Sequence, residues 1–416
     1  MTNNNKLIKH SLKQATFKVL LPLFLSLFVF IKSEAQGDYK MMIVIIDGAR
    51  YSETLGDATH TYTPRMWGLT TQGTMVSSFI NDNYTYTSRA IPALWCGAWT
   101  DVQSITYNGS STQYAVLPTL FEYYRKDKSA PATECVYVTK YLASLWLPSF
   151  DTDYGENYWP TFHSVGSNDK DVATQAQLVI NSHPHFLWVY LDGVDHAGHL
   201  GVWSGYTKAI YSADSIVGLL WDKIQSDPFY KDSTNLIVTN DHGRHDDAHG
   251  GFQGHGCSCD GCRHIEFLAV GPSFKQNYVS SQSRILPDMA VTASYILGIN
   301  PAKASGSVMY EILSSNNVSN EPENLTLISS FPNPFSATTS IQYFLNKSGF
   351  VNLDIYSITG EKIKVLVNES QNYGLQTIGW NATNGQGQRV SSGIYFYRLQ
   401  TGGQIKTGKL ILKNNH

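Results

Sequence analysis

Apolar side chains gather into short near-continuous runs over residues 41–46, 186–191, 235–239 and 265–270, each closed by polar residues. A strand that is apolar on both faces belongs in a sheet covered on both sides, not in one that faces water. Between these runs the apolar spacing changes to three and four, over residues 172–181, 207–226 and 287–297, which predicts helices. Alternation of this kind predicts an α/β domain with a mainly parallel sheet sandwiched by helices, whose ligands sit beyond the carboxyl ends of the strands. The polar residues that follow each strand are therefore the place to look for chemistry.

Residues 314–324 are polar and short of large apolar groups, which marks a linker. Beyond it the pattern becomes short β runs over 339–345, 351–358, 363–367, 376–380, 394–400 and 408–412, punctuated by Gly- and Asn-rich turns. Such spacing predicts a small immunoglobulin-like β-sandwich. At the other end, Lys6, Lys9, Lys13 and Lys18 precede an apolar run over 19–31 and the small-residue site Ser33-Glu34-Ala35. This is the layout of a signal peptide, and the run is shorter than the roughly 20 residues a spanning helix needs. The expected division is a signal peptide at 1–35, a large α/β domain at 38–313, a linker at 314–327 and the sandwich at 328–416, with no transmembrane anchor after processing.

A chain of 416 residues with 42% hydrophobic side chains can bury a core in each domain. Its net charge of -3 offers no basic field for a nucleic-acid backbone, so no nucleic-acid polymer is expected as a partner. Cys96, Cys135, Cys257, Cys259 and Cys262 allow at most two internal disulfides in an exported protein. The Cys257-x-Cys259-x-x-Cys262 cluster offers three thiolates where a closed structural zinc takes four ligands, which favours a local loop disulfide.

Three strand ends are rich in metal ligands: Asp47 after the first run, Asp195 and His199 after the second, and Asp241 and His242 after the third, followed by a His-rich loop that reaches His255. Carboxylate and imidazole together suit zinc and similar divalent ions, and two such ions can clamp the entering and leaving oxygens of a phosphoryl displacement. One Asp after a strand reads as a helix cap; several together at strand ends read as a centre.

These motifs resemble the alkaline phosphatase superfamily, nearest to its type I phosphodiesterase and nucleotide pyrophosphatase branch: Asp47-Gly48, Asp195-x-x-Gly198-His199, Asp241-His242-Gly243 and Gly254-His255-Gly256. The resemblance implies a hydrolase of phosphoric esters with two divalent metal ions, zinc by ligand type. Asp195, His199 and His255 would hold one ion, and Asp47, Asp241 and His242 the other. His245, His249 and His264 compete with His255, and His249 is the nearest rival. The family carries its nucleophile at a helix start ahead of a closing Gly; counting back from Gly97 gives Thr87, also a metal ligand, with Ser88 and then Thr85 as alternatives.

The sequence lacks both the Cys-x-Pro-Ser-Arg pattern of sulfatases and the Thr-Phe-Pro-Asn run of nucleotide pyrophosphatases. Arg89 or Lys140 would then replace the missing phosphate donor. The implied substrate is a small-molecule or lipid phosphoester. Other functions on the same ligands are a phosphotransferase or phosphomutase, or a surface binding protein that no longer catalyses. The tail resembles the C-terminal sorting domain of cargo for the type nine secretion system, through Phe331-Pro-Asn-Pro-Phe335, Trp380-Asn381 and the Lys409 to Lys413 closure. That resemblance implies the secretion machinery as a partner and a secreted or cell-surface location, reached through the periplasm.

Overall fold

The computed structural model describes residues 38–140, 146–314, 325–345, 348–372, 374–402 and 404–413. The expected signal peptide and residues 315–324 of the expected linker lie outside the described residues.

The main sheet has eight strands: β1 (Lys40–Ile46), β2 (Gly73–Val76), β3 (Cys135–Thr139), β4 (Thr161–Ser164), β5 (Phe186–Leu191), β6 (Thr234–Thr239), β7 (Phe267–Val270) and β8 (Tyr278–Ser280). Their order is β8-β2-β7-β6-β1-β5-β3-β4. The double-sided apolar run of β1 sorts its side chains by parity. Met41, Ile43 and Ile45 enter one core and Met42, Val44 and Ile46 the other. Helices α2 (Thr87–Cys96), α3 (Leu120–Lys128) and α8 (Asp288–Leu297) cover the first face. Helices α1 (Pro64–Thr70), α4 (Asp169–Ile180) and α6 (Trp203–Ser226) cover the second. Short helices α5 (Gly193–His199) and α7 (Asp260–Arg263) lie at the carboxyl end of the sheet. Helix α4 starts before its apolar stripe because Asn168 caps it, accepting bonds from the backbone N–H groups of Lys170 and Asp171.

One expected strand is two. Residues 265–270 break at Glu266: His264–Ile265 pairs with Phe79–Ile80 in a separate small sheet, while β7 joins the main sheet antiparallel to β6. The chain leaves the top of β6, forms the loop over 240–263 there, and turns straight back down, which needs no crossover helix. The other seven strands share one direction, so the sheet is mainly parallel.

Glu266 sits at the break and is fully buried. Burial pushes its pKa up to about 7, with the Thr54 hydroxyl only partly offsetting this. A carboxyl that resists ionisation in the fold contributes stability at pH below its unfolded value and loses it as pH rises through about 7. Glu266→Gln is therefore expected to stabilise the metal-free protein by up to about 3 kcal/mol at pH 8 and by little at pH 4.5. Urea unfolding at the two pH values measures this, and an equal difference at both would refute it.

The tail contains β9 (Leu325–Phe331), β10 (Thr339–Leu345), β11 (Gly349–Ser357), β12 (Lys362–Gln371), β13 (Gly374–Trp380), β14 (Gly393–Thr401) and β15 (Gln404–Leu412). They form sheets ordered β9-β10-β13 and β12-β11-β14-β15 around Ile341, Tyr343, Leu353, Trp380 and Leu399. This is a strand-only region consistent with a β-sandwich. Strand β9 begins inside the stretch that the sequence assigned to the linker, because its alternation over 325–331 is weak. Among the described residues no helix is long and apolar enough to cross a membrane.

Candidate active site

Strands β6, β1 and β5 are neighbours and parallel, so their carboxyl ends lie side by side. Asp47 follows β1, Asp241 and His242 follow β6, and the loop after β5 leads into α5, which places Asp195 and His199 one turn apart. Helix α2 begins beside them with Thr87 at its first position.

These residues converge as two adjoining groups. In the first, His242 Nε2 lies 3.4 Å from Asp47 Oδ1 and 3.5 Å from Asp241 Oδ2. Thr87 Oγ1 is 3.1 Å from His242 Nε2 and 3.4 Å from Asp47 Oδ2. In the second, His199 Nε2 lies 3.2 Å from Asp195 Oδ2 and 3.1 Å from His255 Nε2, and His255 Nε2 lies 3.6 Å from Asp195 Oδ1. The rings of His242 and His255 stack at 4.1 Å and join the two groups. A side chain at position 48 would collide with Asp195, and Gly48 also holds a left-handed φ of 68°, so both demands require glycine there.

The electrostatics are those of a cation site. Burial pushes the Asp47 carboxyl well above the usual range, with Asp241 and Asp195 adding to it. Burial likewise raises Asp241, to about 7. Burial opposes ionisation of Asp195 as well, but His242 and Arg244, then His255 and His199, outweigh it and hold its pKa below the ordinary value. His255 falls to about 4 through burial and the neighbouring His242. Asp241 Oδ2 is buried with no hydrogen-bond partner. An unmatched carboxylate oxygen among other acids and imidazole nitrogens fits a divalent cation, since such a group is otherwise costly to bury.

The rivals to these residues lie elsewhere. His249 is exposed and bonds Asp246 at 2.6 Å. His264 stacks on Tyr51 and reaches the Ser77 carbonyl oxygen, and His245 turns toward the cysteine cluster. The Thr85 hydroxyl donates to the Cys257 carbonyl, so Thr87 carries the hydroxyl that faces both Asp47 and His242. Arg89 pairs with Asp101 at 3.1 Å and lies over Tyr84, and Lys140 pairs with Asp192. Neither pair includes a residue of the two converging groups. Trp95 is buried in the core against Phe121 and Tyr137, whereas Tyr84, Tyr86 and Trp99 pack on one another near Thr87.

Sequence reasoning missed the groups behind the ligands. The fully buried Arg244 pairs with Asp195 and also donates to the carbonyls of Phe252 and Gln253. A side chain at Gly198 would strike it, which explains the glycine in that motif. Tyr190 donates to Asp47 from the end of β5, and Asn81 donates to the Asp241 carbonyl at 2.7 Å. Asn240 donates to the carbonyls of Ala49 and His242. Arg244 directly follows the Asp-His-Gly motif, which was its one sequence signal; Tyr190 was hidden in an apolar run. Such outer groups orient ligands and tune their affinity for metal.

A sequence profile described as type I phosphodiesterase / nucleotide pyrophosphatase matches residues 45–248. A second, described as secretion system C-terminal sorting domain, matches residues 329–413 and indicates export by type IX secretion to the cell surface or outside. No curated protein sequence matches the chain. Among solved structures, a putative sulfatase from Bacteroides thetaiotaomicron is similar at a TM-score of 0.50 and 12% identity, over 74% of this chain and 81% of that one. Murine ectonucleotide pyrophosphatase / phosphodiesterase 5 aligns at a TM-score of 0.47 and 15% identity, over 66% of this chain and 100% of that one. The phosphonate monoester hydrolase of Agrobacterium radiobacter aligns at 0.47 and 12%, over 82% and 89%. The chain is thus a hydrolase of the alkaline phosphatase superfamily, with residues 45–248 matching the type I phosphodiesterase / nucleotide pyrophosphatase family and residues 329–413 a secretion system C-terminal sorting domain.

Proposed function

We propose that the chain is a secreted phosphoric ester hydrolase that uses two zinc ions and Thr87 as its nucleophile. Asp195, His199 and His255 would hold one ion, and Asp47, Asp241 and His242 the other. The observation that carries this reading is the Thr87 hydroxyl, 3.1 Å from His242 Nε2 and within reach of Asp47, at the start of a helix. When bound, the ions lower the pKa of the hydroxyl and neutralise charge on the phosphoryl oxygens.

The chain supplies position and direction. Thr87 Oγ1 forms a bond to phosphorus as the ester oxygen on the opposite side departs, and water later cleaves the Oγ–phosphorus bond and restores the hydroxyl. The N–H groups that open α2, at Thr87 and Ser88, would suit phosphoryl oxygens, since the helix dipole favours negative charge at that end. Tyr190 holds Asp47 and Arg244 holds Asp195, so both carboxylates are oriented before substrate arrives. Threonine at position 87, where a sulfatase would need a convertible cysteine, favours phosphoryl over sulfuryl transfer.

Turnover of 4-nitrophenyl phosphate and bis(4-nitrophenyl) phosphate by the zinc-loaded full chain tests this reading. Exhaustive chelation is expected to abolish turnover of whichever ester is accepted, and zinc to restore it. Full activity after chelation, with metal analysis showing none bound, would overturn the proposal.

A further inference from the structure

The loop between β6 and β7 holds a second ligand cluster, separate from the active-site groups. His245 Nδ1 lies 3.0 Å from Cys257 Sγ, 3.3 Å from Cys262 Sγ and 3.9 Å from Cys259 Sγ. Cys257 Sγ is 2.8 Å from Cys259 Sγ and 3.6 Å from Cys262 Sγ, and all four ligand atoms lie within 4.8 Å of one another. A tetrahedral zinc with bonds of about 2.3 Å to sulfur and 2.0–2.1 Å to nitrogen needs ligand atoms roughly 3.5–3.8 Å apart. The fourth ligand absent from the Cys-x-Cys-x-x-Cys motif is supplied from a different part of the loop. All five cysteines are free thiols, which corrects the local disulfide expected from sequence.

We propose that His245, Cys257, Cys259 and Cys262 form a structural zinc site that clamps the active-site loop. A disulfide would join two of the sulfurs and leave the third, together with the imidazole nitrogen directed at them, without a role. Four ligands of borderline and soft character around one point instead match a closed Cys₃His zinc site. The surroundings support it. The Cys259 backbone N–H donates to Cys257 Sγ at 3.2 Å, and α7 begins at Asp260, so Cys262 returns to the same point. Arg50, almost fully buried, donates to the His245 carbonyl at 3.0 Å and holds that ligand from behind. Gly254 lies so close to the His245 ring that a side chain there would overlap it.

The site has a function in the fold. His245 is three residues beyond His242, and Cys257 is two beyond His255, so the clamp closes a segment that contains His255 and begins just after His242. Thr85 ties the clamp to the nucleophile segment: its hydroxyl donates to the Cys257 carbonyl at 2.8 Å, and His255 Nδ1 donates to its carbonyl at 3.0 Å. A long glycine-rich loop pays a large entropy to hold His255 in place, and a metal that closes it removes much of that freedom.

Cobalt substitution of the full chain, purified under reducing conditions, tests the proposal. The active-site groups contain no sulfur, so thiolate-to-cobalt charge-transfer absorption reports this cluster alone, whatever ester the enzyme accepts. The wild-type protein is expected to show that absorption, Asp241→Asn to keep it, and Cys262→Ser to lose it along with about one metal equivalent per chain. His245→Cys, which completes a four-thiolate site, is expected to keep the metal and strengthen the absorption, a readout that remains if Cys262→Ser does not fold. Lack of the absorption in cobalt-loaded wild-type protein, or a disulfide between any two of the three cysteines in freshly isolated protein, would overturn it.

Discussion

Thr87→Ala is expected to lower kcat on the preferred phosphoester by about 10⁴-fold or more, the scale seen when a covalent nucleophile is removed. The fold should be untouched. Thr87 occupies the first position of α2 rather than its cap, which is Tyr86, and alanine is the better helix former there. Metal content should also persist, since the remaining ligands are unchanged. Thr87→Ser keeps the hydroxyl at 3.4 Å from Asp47 and is expected to recover most of the rate. Ser88→Ala leaves that hydroxyl in place and is expected to stay within a few-fold of wild type. Steady-state kinetics beside metal analysis separates these outcomes. A Thr87→Ala enzyme within tenfold of wild type would end the assignment, and a collapsed Ser88→Ala rate would transfer it.

The sequence exposes those parts of the fold whose physics is local. A strand buried on both faces is dominated by apolar residues, as Met41–Ile46 of β1, all of β5 and the Leu236–Val238 centre of β6 are, so the sheet and the three strand ends that bear ligands could be read directly. The short outer strands β2, β4 and β8 carry no such pattern and went unseen, while β3 carries it only over the four residues Cys135–Val138 and was missed for its shortness. The direction of β7 was not legible either, because its reversal is set by where the loop before it returns to the sheet. At the site, Asp47, Asp195, His199, Asp241 and His242 were marked by motif and position. His255 was one of several histidines in a loop, and its meeting with His199 depends on the path of that loop. His245 as partner to three cysteines was beyond reach for the same reason: at least eleven residues separate it from the nearest of them. Arg244 and Tyr190 act through residues they orient, and sequence carries little trace of that.

Asp241→Asn should separate the metal's contribution from that of the fold. Asp241 is fully buried; its Oδ1 accepts the Gly48 N–H at 3.4 Å, and its Oδ2, 3.5 Å from His242 Nε2, has no hydrogen-bond partner. Asparagine preserves shape and the Gly48 contact but removes a charge that one of the two ions requires. The variant is therefore expected to bind one ion fewer at ordinary zinc concentrations, with kcat/KM lower by about 10³-fold. Its stability should change in opposite directions with and without metal. In the metal-free wild type, burial raises the Asp241 pKa to about 7, so stability present below the ordinary carboxylate value is lost as pH rises through 7. At pH 8 the metal-free asparagine variant avoids that loss and should melt above the metal-free wild type. With zinc in excess the order should invert, because the wild type gains binding free energy at a site the variant has lost. Thermal melts of both proteins, with and without chelator, measure the four values. A variant that melts lower under both conditions would show Asp241 to be a structural acid and would remove it from the ligand set.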